Sequence, residues 1–140
     1  MSKKSIKSFE GVKIFKKNYF ESSIGYFVET YRDHWLEKKF VQDSVSLSKK
    51  AGVIRGLHLQ TGDAAQAKLI SVLDGSIQDY FVDLRLNSST FGNYGSIKIS
   101  KLNNKTLFLP RGFAHGFISL EPNTIVIYKM DNYYSAKNEV

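Results

Sequence analysis

Apolar and polar positions in this chain alternate in short runs rich in β-branched and aromatic residues. In 124–130 the pattern puts Val126, Tyr128 and Met130 on one face of an extended strand and Ile125, Ile127 and Lys129 on the other. Such runs recur at about the spacing expected of strands joined by tight turns. They predict strands at 12–15, 26–31, 40–48, 53–59, 68–73, 76–84, 96–100, 106–109, 112–120 and 124–130. Turn chemistry separates them at Asp74-Gly75, Asn87-Ser88-Ser89, Asn103-Asn104 and Glu121-Pro122-Asn123. Only 33–39 carries a short helical pattern. Many short strands and one weak helix imply an all-β sandwich or barrel. No linker, repeat or low-complexity tract interrupts the 140 residues, so a single domain over 1–140 is expected.

Composition narrows the class. An apolar fraction of 42% and an aromatic fraction of 14% suffice for a sizeable core. There is no cysteine, so disulfides and thiolate metal sites are excluded, in keeping with a cytoplasmic location. The first residues, Met1-Ser2-Lys3-Lys4-Ser5, precede no apolar run of the kind a signal peptide carries, and no stretch is long and apolar enough to span a membrane. The formal charge of +7 favours anionic partners. Its lysines are scattered in pairs (Lys3-Lys4, Lys16-Lys17, Lys38-Lys39, Lys49-Lys50), without an arginine-rich helix or an RNA-binding aromatic consensus. Nucleic acid is therefore not the expected partner, and most of this charge reads as solvated surface.

The candidate chemistry lies on the strands. Simple alternation puts Ile54, Gly56, His58 and Gln60 on one face, with the glycine leaving space beside the histidine. On the strand at 76–84, Asp79 shares a face with Ile77 and Phe81, which makes it either a pocket residue or a paired structural carboxylate. His115 lies between Phe113 and Phe117, and Tyr128 between Val126 and Met130. Taken singly, each also fits an ordinary barrel wall.

Together they fit the two-motif skeleton of a double-stranded β-helix, the cupin or jelly-roll barrel. Gly52 and His58 have the spacing of the first motif's glycine and histidine, as do Lys68 and Gly75 for its carboxylate and closing glycine. Pro110, Gly112 and His115 match the second motif. Gln60 stands where the second histidine is expected, Lys68 where the glutamate is, and Ser119 where the asparagine is. Two imidazoles facing an ammonium are a poor donor set for a divalent cation, so no metal is expected. The same group of residues suits an anionic oxygen such as an enolate.

The chain resembles one branch of the cupins, the dTDP-4-dehydrorhamnose 3,5-epimerases of deoxysugar biosynthesis. The resemblance is carried by Val41-Gln42-Asp43, Arg55-Gly56-Leu57-His58-Leu59-Gln60, Gln66-Ala67-Lys68-Leu69, Val82-Asp83-Leu84-Arg85, Ser89-Thr90-Phe91-Gly92, Leu109 through Phe117, and Tyr128-Lys129 with Asn132-Tyr133-Tyr134-Ser135. It implies a cofactor-independent isomerase acting on a nucleoside-diphosphate 4-keto-6-deoxyhexose, dTDP-linked, in surface polysaccharide biosynthesis. His58 would remove a proton beside the ketone, Tyr128 would return one from the opposite face, and Lys68 would steady the enolate oxygen. Arg55 would meet the diphosphate and Tyr134 the base; Gln42, Gln60, Asp79 and His115 would line the sugar site. Glu29 would reach a neighbouring subunit's pocket, because the family exchanges N-terminal strands in a homodimer. A cation such as Lys68 would suit Tyr128 to its role by lowering its pKa.

Three departures from the family pattern stand out. The aspartate that pairs with the catalytic histidine in the family lies beyond the last residue here, so His58 is expected to turn to another partner, such as Asp79 or Asp63, or to be a weaker base. Ile24 replaces a nucleotide-binding arginine, and Ser44-Val45 replaces Asn-His on the sugar-side wall. Inversion at one carbon only, ketone isomerisation, and sugar binding without catalysis stay open as alternatives.

Overall fold

The computed structural model describes all 140 residues. Eleven strands form: β1 (Lys13–Lys16), β2 (Tyr19–Ser22), β3 (Gly25–Val28), β4 (Gln42–Ser48), β5 (Ile54–His58), β6 (Lys68–Asp74), β7 (Ser76–Asp83), β8 (Tyr94–Ser100), β9 (Lys105–Leu109), β10 (Phe113–Ser119) and β11 (Thr124–Met130). One sheet runs β1-β9-β6-β11-β4 and the other β5-β10-β7-β8, with every pairing antiparallel. The two sheets close over a shared core as a jelly-roll barrel. The expected all-β class and double-stranded β-helix are present.

The core is where alternation predicts it. Ile70 and Val72 of β6, Ile77 and Phe81 of β7, Ile97 and Ile99 of β8, and Leu107 and Leu109 of β9 point inward between the sheets. Phe9, Phe81 and Phe113 meet edge to face, at ring-centroid distances of 5.2 to 6.1 Å. This arrangement suits the aromatic quadrupole as well as apolar burial.

A second cluster covers the outside of the five-stranded sheet, where Leu69 and Phe108 pack under Leu36, Phe15, Trp35 and Phe40. Here the structure corrects the expected helix: only Asp33–Trp35 forms a single 3-10 turn. Its role is to bring Trp35 flat against Phe15, with the rings 5.2 Å apart. Tertiary stacking overrides a weak helical pattern. The strand β2 was also not expected; it pairs with β3 in a separate hairpin, where Tyr19 stacks on Tyr26. No such cover lies over the four-stranded sheet, whose outer face presents Ile54, Leu57 and Tyr80 to solvent.

Strand β4 inverts the usual rule. Its inward positions are Gln42, Ser44 and Ser46, while Val45 and Leu47 are exposed. Polar groups facing into a barrel need something polar to meet, and this edge is one wall of the cavity.

Candidate active site

A cavity of about 460 Å³ opens between the sheets. The four-stranded sheet contributes Arg55, Gly56 and His58 from β5 and His115 and Phe117 from β10. The five-stranded sheet contributes Gln42, Ser44 and Ser46 from β4, Lys68 from β6, and Tyr128 and Met130 from β11. Tyr134 and Glu139, from the segment after β11, close the mouth.

Simple alternation misplaces one residue. Ile54 was expected to share the His58 face, but it is 72% exposed on the outer surface, and Arg55 enters the cavity instead. The reason is a bulge. His58 pairs with His115 and Arg55 with Phe117, so three steps on β5 match two on β10. The extra residue reverses the phase of the strand. Gly56 absorbs it at φ +90°, and a Cβ there would lie 2.5 Å from the His115 carbonyl oxygen and 2.9 Å from the Gly116 Cα. Gly116 faces it from β10 with equally little room, its own Cβ falling 2.6 Å from the Arg55 oxygen. Two glycines back to back thus let β5 and β10 approach closely while Arg55 and His58 both reach the cavity.

His58 lies across the barrel from Tyr128, on the other sheet. Burial, and then the neighbouring Lys68 ammonium, push the His58 imidazole below its ordinary range. The imidazole is therefore uncharged at neutral pH. Its Nδ1 lies 2.9 Å from Glu139 Oε1. Neither carboxylate expected for it is used: Asp79 is turned to His115, and Asp63 sits in a 3-10 turn whose backbone carbonyl accepts from Asn132. Glu139 was missed because it belongs to no periodic pattern; it is placed by an isolated bridge to Gln60, far away in sequence.

Lys68 is buried, and desolvation lowers its pKa, opposed by Glu139 and Asp79. It takes part in none of the seven ion pairs. Its side chain lines the cavity. Tyr128 departs from expectation: burial raises its pKa, and the lowering influences come from the Ser46 bond and Arg55, not from Lys68. Its hydroxyl lies 2.8 Å from Ser46 Oγ.

The other expected site residues divide. Arg55 lines the cavity with its guanidinium braced on β4, donating to Ser48 Oγ at 3.2 Å and the Leu47 carbonyl at 2.9 Å. His115 lines it too, fixed from behind by Asp79 at 2.6 Å. Asp79 is fully buried and does not line the cavity; the alternative reading, a paired structural carboxylate, is correct. Gln60 lines the wall, but its amide is committed to backbone, donating to Ala64 and Tyr133 and accepting from Ser135. Gln42 accepts from the Tyr134 N–H and Gln66 donates to the Asn132 carbonyl. These three glutamines fasten residues 132–135 over the mouth. Glu29 is away from this chain's cavity, held by Arg32 at 2.6 Å and by Asn18. Of the two wall substitutions, Ser44 faces the cavity and Val45 does not; Ile24 is 97% exposed at the β2–β3 hairpin tip. No group of three or more carboxylate or imidazole side chains is gathered where a metal ion could be held.

Comparisons with known proteins give this fold its relatives. The family model for dTDP-4-dehydrorhamnose 3,5-epimerase matches residues 7–140. A dTDP-4-dehydrorhamnose 3,5-epimerase of Sinorhizobium fredii is 39% identical over 133 residues, covering 91% of this chain and 68% of the relative. The crystal structure of the Bacillus anthracis enzyme with TDP and PPi bound superposes with a TM-score of 0.88 at 44% identity, covering 92% of this chain and 77% of that one. The Legionella pneumophila enzyme in complex with dTDP-4-keto-L-rhamnose gives a TM-score of 0.87 at 36% identity, covering 94% and 72%. This chain belongs to the dTDP-4-dehydrorhamnose 3,5-epimerase family.

Proposed function

We propose that this protein epimerises a dTDP-linked 4-keto-6-deoxyhexose at C3, C5 or both, without a cofactor, in deoxysugar biosynthesis in the cytoplasm. The observation that carries the reading is the placement of an imidazole and a phenol on opposite sheets of one cavity, with the buried Lys68, which enters no ion pair, lining the same cavity.

A carbon beside a ketone is a weak acid, and removing its proton leaves charge on the carbonyl oxygen. His58, kept neutral by burial and Lys68, takes that proton. Lys68 donates to the oxygen as it becomes an enolate; such preorganised donors are worth about 10²–10³ in rate. Tyr128, kept protonated by burial, delivers a proton to the opposite face of the same carbon, and the centre is inverted. The enolate collapses back to the ketone, and the two groups exchange protons with solvent before the next turnover. Arg55 and Tyr134 take the diphosphate and base, while Gln42 and His115 border the sugar.

A homodimer completes this reading. The uncovered face of Ile54, Leu57 and Tyr80, and the hairpin bearing Phe20 and Phe27, leave large apolar side chains exposed together, as interaction surfaces do. Exchange of that N-terminal arm carries Glu29 to the partner's cavity. The test is proton NMR of a dTDP-4-keto-6-deoxyhexose in heavy water. Deuterium should enter at C3 or C5, and His58→Asn should slow its entry by about 10²–10⁴. Exchange at the wild-type rate in that variant would remove His58 from the mechanism.

A further inference from the structure

Tyr128 and Ser46 meet diagonally across β11 and β4. In the register of these strands Tyr128 stands opposite Ser44, and Ser46 stands opposite Val126. The phenol therefore leans two residues along β4, and its oxygen lies 2.8 Å from Ser46 Oγ. Diagonal neighbours are within reach of an aromatic side chain. Ser44, the direct neighbour, is engaged by Gln42, whose Nε2 donates to its Oγ at 3.4 Å. The hydroxyls of Tyr128 and Ser46 have no hydrogen-bond partner in the chain but each other. Both side chains line the cavity.

One proton occupies this bond, and its direction decides what the phenol can do. If Tyr128 donates, its proton is spent on Ser46 and turned away from any substrate carbon. If Ser46 donates, the phenol proton is free to point into the cavity. We infer that Ser46 is a positioning residue for Tyr128, donating to the phenol oxygen so that the phenol proton is aimed at the substrate and the charge left behind is held. In the transfer the phenol O–H bond breaks, the enolate supplies the electron pair of the new C–H bond, and the phenolate regains a proton from water between turnovers. A hydrogen bond to a charged oxygen is stronger than one to a neutral oxygen. The contact therefore tightens as the proton leaves, which is what an interaction must do to speed a step. Burial raises the phenol above its ordinary range, and the Ser46 bond is the first of the influences opposing that. Arg55 from β5 also favours the phenolate and Asp79 from β7 opposes it, while His58, His115, Lys68 and Glu139 line the same cavity.

The kinetic arm of the test rests on the epimerase reading; the spectroscopic arm does not. In heavy water His58 can return a deuteron to the face from which it took the proton, giving exchange with retention, whereas inversion needs Tyr128. Both are read by proton NMR of a dTDP-4-keto-6-deoxyhexose. Ser46→Ala should lower inversion by about 10- to 100-fold while exchange with retention persists. Ser46→Thr, which keeps the hydroxyl, should restore part of the inversion. Without substrate, carbon-13 NMR follows the full chain labelled at tyrosine Cζ, with Tyr128→Phe assigning the signal. Ionisation of Tyr128 should begin at higher pH in Ser46→Ala and stay in place in Ser44→Ala. Inversion and exchange falling together, or Tyr128 ionising as in the wild type when the Ser46 hydroxyl is gone, overturns the inference. A wild-type protein that exchanges no hydrogen overturns the epimerase reading, and the carbon-13 result then decides whether Ser46 donates to Tyr128.

Discussion

Replacing Gly56 by alanine isolates what the bulge contributes. Two costs add. A non-glycine residue at φ +90° costs about 1–2 kcal/mol in backbone strain. The new methyl would also stand 2.5 Å from the His115 oxygen and 2.9 Å from the Gly116 Cα, both backbone atoms that cannot swing aside. Forcing such an overlap costs about 1–3 kcal/mol more. The expected loss is therefore about 2–5 kcal/mol of unfolding free energy. Gly52 is the control, because it has φ +85° but open space where its Cβ would go. Gly52→Ala should lose only the strain, about 1–2 kcal/mol. Urea unfolding of the three proteins gives the comparison through the midpoints, provided the slopes agree. Gly56→Ala should also impair deuterium exchange at once, because the displaced strand carries both Arg55 and His58. If the two alanine variants are equally stable, close packing of β5 on β10 is not what Gly56 provides.

The pH profile of kcat/KM should be broad. His58 is pushed down, so the acid limb should lie below the ordinary imidazole value of ~6.5. On the alkaline side Lys68 is pushed down and Tyr128 up, so the limb belongs to Lys68 and should fall below ~10.4. In Lys68→Met the weakened residual activity should persist to higher pH; an unchanged alkaline limb would detach it from Lys68. For assembly, Leu57→Asp places a charge in the uncovered face, and sedimentation should show the wild type as a dimer and this variant as a monomer. A monomeric wild type would refute that interface.

Most of the barrel was legible because period-two alternation and turn chemistry are local. Asp74-Gly75 ends β6 and starts β7 as expected, and β11 coincides with its predicted limits. What was not legible depended on partners distant in sequence. Ile54 and Arg55 exchanged faces because β10 imposes a bulge on β5. Asp79 read equally well as pocket or support until His115 was seen to occupy it. Tyr128 was expected to feel Lys68, but its burial outweighs every charge around it. Glu139 had no local signal, since only the return of the terminal segment to Leu59 gives it a place. Ser46 was likewise an unremarked strand serine until its hydroxyl met that of Tyr128.

The three glutamines at the mouth act on main-chain atoms: Gln42 on the Tyr134 amide, Gln60 on the Tyr133 carbonyl and Ser135 amide, and Gln66 on the Asn132 carbonyl. Such clamps are indifferent to the side chains they secure. Tyr133 can therefore be exchanged for other residues without loosening the rim, whereas Tyr134 is also tied to it through its hydroxyl, which donates to Glu139. A lineage built this way can vary the outer edge of its rim while the main-chain course over the cavity is kept.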